Sequence, residues 1–309
     1  MLLAPPGRPR RLLAPPADPP EDLPPGTLPP GTLPPGMDAS PAGPAFELPP
    51  EAVETWIAGP AGGLRVVELH PEGKMPVVFV HGLGGRLEHW APVLHCVGPG
   101  IRALALDLPG HGGSDVPEDE DLSPPRLAAA IGALLDTLGL RHAVLVGHSL
   151  GAAVVLEYAA HHGDRALGLV LVDANGDQTR IPEGQRQSLM SAIERDPAGE
   201  VGWQFRQILH GSHPEVPEHV LAGLEAVPAE VLLATLRGSL EYGPLPALDA
   251  YVGPTACVIS SMNDLPYSLH RLRPQLPCHC LGETSHWLMM DRPVEFWDLV
   301  MDIFEDWRR

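Results

Sequence analysis

Short, continuously apolar runs recur along this chain and alternate with longer stretches whose apolar residues recur at helical spacing. The clearest runs are residues 76–80, 143–146, 167–172 and 256–260, with a shorter one at 276–281. Runs of this length are typical of strands that are buried on both faces of a parallel sheet. The alternation therefore predicts one α/β domain with a mostly parallel central sheet and helices on both faces.

The run 143–146 leads into Gly147-His148-Ser149-Leu150-Gly151, which opens the helix-like segment 152–161. A serine between two glycines, on a sharp turn from strand to helix, is the pattern of a strained nucleophile turn. A side chain at either glycine would collide with the neighbouring strand or helix. The pattern predicts Ser149 as a nucleophile; the alternative is a glycine-rich loop with an exposed serine.

A serine hydroxyl needs a histidine base, and that base needs an acid to fix its tautomer. His286 stands in Gly282-Glu283-Thr284-Ser285-His286-Trp287, after the run 276–281 and before a predicted helix that begins near Pro293. This late position at a strand end favours His286 as the base over the other histidines. An ordinary surface histidine is the alternative.

Two strand ends offer candidates for the acid. The run 256–260 leads to Asp264, and the run 167–172 leads directly into Asp173. We favour Asp264, because it gives the chain order Ser, Asp, His with the acid shortly before the histidine. Asp173 is more simply interpreted as a turn residue that caps its strand.

These linked motifs resemble the α/β-hydrolase fold family, and within it the serine esterase-like group, over about residues 51–309. His81-Gly82-Leu83-Gly84-Gly85 is similar to the family's oxyanion loop, and the segment 107–115 to a structural turn after the next strand. The resemblance implies that the backbone N–H groups of Leu83 and Leu150 form an oxyanion hole. The chain departs from the family in having Ser285 before the histidine and no glycine in the turn 260–264.

About 80 residues separate Asp173 from the strand near Thr255. Helix-like stretches at 183–195, 201–209, 217–226 and 229–240 are too many for a simple crossover. The resemblance implies a helical cap at about 177–250. Candidate pocket-lining residues, for which plain core packing is the alternative, are Trp203, Phe205, Ile208, Leu209, Leu233, Leu236 and Tyr242. Because these stripes contain few charges, we expect a hydrophobic pocket.

The net charge is −19, and the sequence contains a single lysine, Lys74. Neutralising phosphates requires clustered basic residues, so we expect neither nucleic acid nor an anionic membrane as a partner. Cys278-His279-Cys280 suggests a metal site at first sight, but alternation along a strand directs His279 away from the two cysteines. We therefore expect no metal and no cofactor.

The first 50 residues hold 17 of the 38 prolines. This composition predicts a disordered tail over residues 1–50 and a hydrolase-like domain over 51–309, with Met37 as an alternative start. We find no apolar stretch typical of a signal peptide or a membrane span, and we expect a cytoplasmic protein.

Together these features predict a serine hydrolase of the carboxylesterase type (EC 3.1.1) that cleaves a small or medium hydrophobic ester through an acyl-enzyme. Lactone hydrolysis, cleavage of activated C–C bonds and acyl transfer use the same residues and are alternatives. A ligand-binding receptor or scaffold built on a hydrolase fold is the non-enzymatic alternative.

Overall fold

A computed structural model describes residues 46–118 and 121–309 of the chain. Most of the predicted N-terminal tail lies outside the described residues. The described part contains one eight-stranded sheet with the strand order β1-β2-β4-β3-β5-β6-β7-β8. Its strands are β1 (Val53–Gly59), β2 (Gly62–Leu69), β3 (Met75–Val80), β4 (Ile101–Leu106), β5 (Ala143–His148), β6 (Ala166–Val172), β7 (Thr255–Ile259) and β8 (Cys278–Cys280).

Only the first two strands depart from the parallel arrangement: β1 pairs with β2, and β2 with β4, in antiparallel register. The pairs from β4 through β3, β5, β6 and β7 to β8 are all parallel. Every residue of β3, β5 and β6 is buried, which explains their continuously apolar sequences. The predicted fold class is confirmed, and the carboxyl ends of these parallel strands meet along one edge of the sheet.

Helices cover both faces of this sheet. The helices are α1 (Ala91–Leu94), α2 (Pro124–Thr137), α3 (Leu150–His161), α4 (Glu183–Arg195), α5 (Pro197–Ile208), α6 (Val216–Glu225), α7 (Ala229–Glu241), α8 (Leu245–Ala250), α9 (Leu269–Leu272), α10 (Leu288–Asp291) and α11 (Pro293–Asp306). Helices α2, α3 and α8 form one packed group, and α1, α10 and α11 form another. Phe79 of β3 anchors the second group, with ring centroids 5.1 Å from Trp90 and 6.0 Å from Trp297.

The segment between β6 and β7, which is described throughout, contains the five helices α4 to α8. We call residues 177–250 the cap. Helix α5 begins earlier than the predicted stretch at 201, because the Asp196 side chain accepts from the Gly199 N–H at 3.0 Å and Pro197 occupies the first helical position.

Among the described residues no single helix is both long and apolar enough to span a membrane; α6 and α7 reach that length and composition only together, and they are bent by 102°.

Candidate active site

Ser149 lies on a strained turn between β5 and α3. Its φ of 55° and ψ of −113° are unusual for a residue with a side chain. A Cβ at Gly147 would lie 2.3 Å from the carbonyl oxygen of Gly151, and one at Gly151 would lie 2.3 Å from that of Val80. Both glycines are therefore required for the turn to fit between the strands and α3. The turn presents Ser149 at the N-terminus of α3, where the first backbone N–H groups have no partner within the helix.

The loop after β3 packs directly against this turn. A Cβ at Gly82 would lie 3.0 Å from Cβ of Ser149. The buried His81 ring fixes the loop, since its Nδ1 donates to the Gly82 carbonyl at 2.7 Å and its Nε2 accepts from the Leu108 N–H at 2.9 Å. Leu83 is the next residue in this loop after Gly82, which contacts Ser149. That proximity suits the oxyanion-hole assignment of Leu83 and Leu150, which stays a prediction.

His286 is paired with Asp173, the residue that follows β6. The His286 Nδ1 lies 2.6 Å from Oδ2 of Asp173, which is only 1% exposed. Ser260, at the end of β7, donates its backbone N–H to Asp173 Oδ1 at 2.7 Å and its hydroxyl to Oδ2 at 3.1 Å. Since a carboxylate only accepts, Nδ1 carries the proton and leaves Nε2 as the basic nitrogen.

The assignment of Asp264 as the partner of His286 is wrong. Asp264 lies on the surface, where it binds Arg271 and accepts from His270 at 3.2 Å. Arg271, and after it His270, lower the pKa of Asp264 to about 2. The turn after β7 carries the Asp264 side chain outward, whereas β6 lies nearer to the nucleophile strand and ends directly in Asp173. In the sequence, the position of Asp173 directly after the apolar run 167–172 is the feature that was interpreted as a simple turn residue.

The Ser149 hydroxyl donates to Oδ1 of Asn175 at 3.1 Å. Among the described residues Asn175 is the hydrogen-bond partner of that hydroxyl, and His286 forms no hydrogen bond with it. Asn175 was not predicted from the sequence, because nothing in its local sequence distinguishes it from an ordinary loop asparagine. Catalytic hydrogen bonds in free enzymes are often formed only when substrate binds, so the arrangement is compatible with a serine–histidine pair.

His148, the residue before Ser149, contacts residues 281–287, the loop between β8 and α10 that carries His286 and that we call the histidine loop. Its Nε2 donates to the His286 carbonyl at 2.9 Å, and the two ring centroids are 4.7 Å apart. Burial, and then the neighbouring His286, lower the pKa of His148 well below its usual value. A neutral His148 therefore joins the turn at Ser149 to the loop that carries His286.

The cap is tied to the same histidine loop. The His286 N–H donates to the carbonyl of Ile208, the last residue of α5, at 3.1 Å. Asp291 accepts from both the N–H and the hydroxyl of Ser285 at 2.7 Å through Oδ2, and from the His213 N–H at 2.9 Å through Oδ1. Ser285, which replaces the family's usual glycine, thus helps Asp291 to bind the loop and the cap together.

Three further histidines near the site are fully buried and neutral. Burial lowers the pKa of His81 to about 4, and it lowers the pKa values of His89 and His111 to about 3. We call His81, His89 and His111 the three buried histidines. Burial also raises the pKa of Asp107 to about 6, although its carboxylate accepts from the backbone of Leu87 at 2.6 Å and of Gly113 at 2.7 Å. These contacts hold the turn 107–115 in place beneath the site.

A small cavity of about 20 Å³ opens beside Ser149. Its wall combines apolar side chains of α3 and α9 with the polar side chains of Asn175, Gln178, Ser239 and Tyr242. The wall is therefore mixed, whereas the sequence led us to expect an apolar one. We call this space the serine cavity.

The predicted lining residues of the cap separate into different environments. Tyr242 lines the serine cavity and donates to Glu157 at 2.8 Å. Phe205 is buried against Trp287, with ring centroids 5.0 Å apart, and Trp203 is 59% exposed. Leu233 lines a separate groove next to the loop before α2.

No cluster of three or more histidine, cysteine, aspartate or glutamate side chains in the described residues is arranged to hold a metal ion. Cys278 and Cys280 are both exposed on the edge strand β8, and His279 points to the other face. This placement is the alternation expected for a strand.

Comparison with known proteins identifies the class. Residues 75–210 match the model of the alpha/beta hydrolase fold family. The solved structure of a thermophilic esterase from Thermogutta terrifontis, with malate bound, superposes with a TM-score of 0.70 at 21% identity, covering 83% of this chain and all of that one. The sheet, the nucleophile turn and these matches define an α/β-hydrolase fold. The chain therefore has the α/β-hydrolase fold, and over residues 75–210 its sequence is similar to that family.

The chain is also similar in sequence to two proteins with different activities. The chain is 38% identical over 134 residues to the dihydrolipoyllysine-residue acetyltransferase component of the acetoin cleaving system of Pseudomonas putida, covering 43% of this chain. It spans only 36% of that component's length. It is 25% identical to the 2-(acetamidomethylene)succinate hydrolase of Mesorhizobium japonicum, over 73% of this chain and 87% of that protein.

Proposed function

We propose that this protein is a serine hydrolase that cleaves carboxylic esters through an acyl-enzyme, with Ser149 as nucleophile, His286 as base and Asp173 as the acid. The observation that carries the proposal is the buried His286–Asp173 pair at 2.6 Å, set beside a serine held on a strained turn. Such a pair fixes the tautomer in which Nε2 can accept a proton.

The reaction begins when the Ser149 hydroxyl turns from Asn175 towards His286. Nε2 takes the proton as Oγ attacks the ester carbonyl carbon, and the tetrahedral intermediate collapses with cleavage of the C–O bond. The leaving alcohol receives that proton from His286. Water then attacks the acyl group, gives its proton to Nε2, and releases the carboxylic acid while Oγ regains a proton.

The backbone N–H groups of Leu83 and Leu150 would stabilise the oxyanion of both intermediates. The proposal is supported by the contact of Gly82 with Ser149 and by the position of Leu150 as the first residue of α3. Donors that are fixed before the reaction begins contribute on the order of 3 kcal/mol each to the transition state. No cofactor is needed for this chemistry.

The test is hydrolysis of p-nitrophenyl esters from acetate to decanoate by the wild type, by Ser149→Ala and by Ser188→Ala. Ser188 lies exposed on α4 and serves as the matched serine control. We expect Ser149→Ala to lower kcat by roughly 10⁴ to 10⁶-fold and Ser188→Ala to leave it unchanged. A loss of less than about tenfold in Ser149→Ala would remove this serine from the mechanism.

A further inference from the structure

The serine cavity lies on one definite side of the nucleophile. Ser149, Asn175 and Gln178 contribute to its wall, whereas His286 and Leu83 do not. In ester cleavage the leaving alcohol must lie beside the basic nitrogen that protonates it. The alcohol side of a bound ester therefore lies towards His286, and the serine cavity remains for the acyl side.

The size of the cavity limits the acyl group. About 20 Å³ holds little more than one water-sized group. Ala152 and Ala153 of α3 and Pro244 of the cap close the walls around it. Only a few atoms beyond the carbonyl carbon fit without movement of the cap.

Asn175 is the hydrogen-bond partner of the Ser149 hydroxyl, and its loop is firmly held. The carbonyl of Ala174 accepts from Asn263 at 2.9 Å, and Asp177 donates its N–H to the Tyr267 carbonyl at 2.8 Å. Gly176 has a φ of 71°, and a Cβ there would lie 2.2 Å from the Tyr267 oxygen. The backbone on both sides of Asn175 is thus fixed.

Of the two polar atoms of the Asn175 amide, one forms a hydrogen bond with a described residue and the other does not. Oδ1 accepts from the Ser149 hydroxyl, and no described residue accepts from Nδ2. Acylation replaces the hydroxyl hydrogen of Ser149 with the acyl carbon, so Oδ1 then loses its donor as well. Asn175 is half-buried, and an alkyl chain in the cavity would displace water from Nδ2 and leave the whole amide without partners, which is unfavourable.

We propose that the site selects short acyl groups that carry a hydrogen-bond acceptor two atoms from the carbonyl carbon, and that Asn175 Nδ2 donates to that acceptor. Asn175 is then a specificity residue that contacts the substrate. This inference rests on the proposed ester hydrolysis and names the class of acyl group for the same site.

The experiment compares two p-nitrophenyl esters whose acyl chains have the same length and shape, methoxyacetate and butyrate. They differ in one ether oxygen in place of a methylene group. The ratio of their kcat/KM values is measured for the wild type and for Asn175→Leu, and the ratio of their hydroxide-catalysed rates gives the intrinsic difference in reactivity. Gln187→Leu, on the exposed face of α4, is the matched amide control.

We expect the wild-type ratio of kcat/KM for methoxyacetate to kcat/KM for butyrate to exceed the intrinsic ratio by about tenfold. This is the factor expected when one ester forms a hydrogen bond that the other lacks. Asn175→Leu should reduce the preference to the intrinsic ratio, and Gln187→Leu should retain it. Any effect of Asn175 on the Ser149 hydroxyl itself cancels, because it acts equally on both esters.

A wild-type preference no larger than the intrinsic ratio would overturn the inference, and this result does not depend on whether Asn175→Leu folds. A preference that survives in folded Asn175→Leu would also overturn it. If both esters are hydrolysed by a Ser149-dependent reaction in these cases, the proposed function still stands. If neither ester is hydrolysed, the proposed function fails and the inference fails with it.

Discussion

Replacing Asp173 with asparagine tests the geometry of the site most directly. The backbone N–H of Ser260 donates to Oδ1 at 2.7 Å, so the asparagine must keep its carbonyl oxygen at that position. Its Nδ2 then takes the place of Oδ2, which lies 2.6 Å from Nδ1 of His286. Two donors cannot face each other there, and His286 must move its proton from Nδ1 to Nε2.

The expected loss follows from that change of tautomer. With the proton on Nε2, His286 cannot accept one from Ser149, and a buried asparagine cannot stabilise the imidazolium that forms in the transition state. The same substitution in serine proteases lowers kcat by about 10⁴-fold. A factor of 10⁴ corresponds to about 5.4 kcal/mol of transition-state stabilisation. The side chain volume hardly changes, so we expect the fold to be retained.

The assay is p-nitrophenyl acetate hydrolysis by wild type, Asp173→Asn and Asp264→Asn, with circular dichroism and thermal unfolding to show that all three are folded. Asp264 is the matched control, because it is exposed and binds Arg271 and His270 instead of His286. Asp264→Asn should retain kcat within about threefold, since exposed ion pairs contribute little. A folded Asp173→Asn with more than a tenth of wild-type kcat, or a loss in Asp264→Asn that matches it, would refute the reasoning.

Three further predictions concern the supports of the site. Gly151→Ala should abolish folding or activity, because its Cβ would lie 2.3 Å from a main-chain oxygen of β3; soluble expression and hydrolysis check this. Asp291→Asn should lower kcat about tenfold with little effect on KM, since its Oδ2 holds both donors of Ser285, the neighbour of His286, at 2.7 Å; steady-state kinetics separates the two constants. Acid should destabilise the protein between pH 7 and pH 5. The three buried histidines have folded pKa values near 3 to 4, below the unfolded value of about 6.5. The unfolded chain therefore binds more protons, and the free energy of unfolding decreases as the pH is lowered. Together they lose about 6 kcal/mol over this interval, and Asp107, whose pKa is raised to about 6, offsets about 1 kcal/mol; urea unfolding at both pH values measures the difference.

Each of these has a control or a contrary outcome. Gly184→Ala, at a position with open space around it, should be tolerated where Gly151→Ala is not. Equal changes in kcat and KM for Asp291→Asn would mean that the cap, and not the histidine loop, depends on Asp291. A free energy of unfolding that is unchanged or higher at pH 5 would show that the buried histidines do not remain neutral in the fold.

The local pattern of the sequence was sufficient to predict the strained turn at Ser149 and the loop position of His286, the proposed nucleophile and base. The sharp turn at Ser149 depends on its neighbours in the chain, since Gly147 and Gly151 provide the space that the turn requires. The buried strands were visible as apolar runs, because strands covered on both faces need apolar side chains at every position. His286 followed from its place at a late strand end, which the chain order alone reveals.

The acid could not be chosen in this way. Asp173 and Asp264 both follow strands, and the distance along the chain favoured Asp264. The strand order of the sheet explains why His286 pairs with Asp173 instead. Strand β6 is the direct neighbour of β5, so its carboxyl end lies nearer to Ser149 than the outward turn after β7 does. Ser260, which holds Asp173, directly follows β7 and lies 87 residues further along the chain, so no local pattern indicates these contacts.

The role of Asn175 and the serine cavity could not be predicted from the sequence for the same reason. The Ser149–Asn175 bond joins residues 26 positions apart, and the cavity is closed by side chains of the cap that are brought over the sheet only by packing. The sequence by itself determined which residues can form the strained turn and the buried strands, because those depend on backbone conformation and burial within a few residues. Only the tertiary structure decided which carboxylate meets His286 and which polar groups face the acyl side, because those contacts are made between strand ends that are distant along the chain.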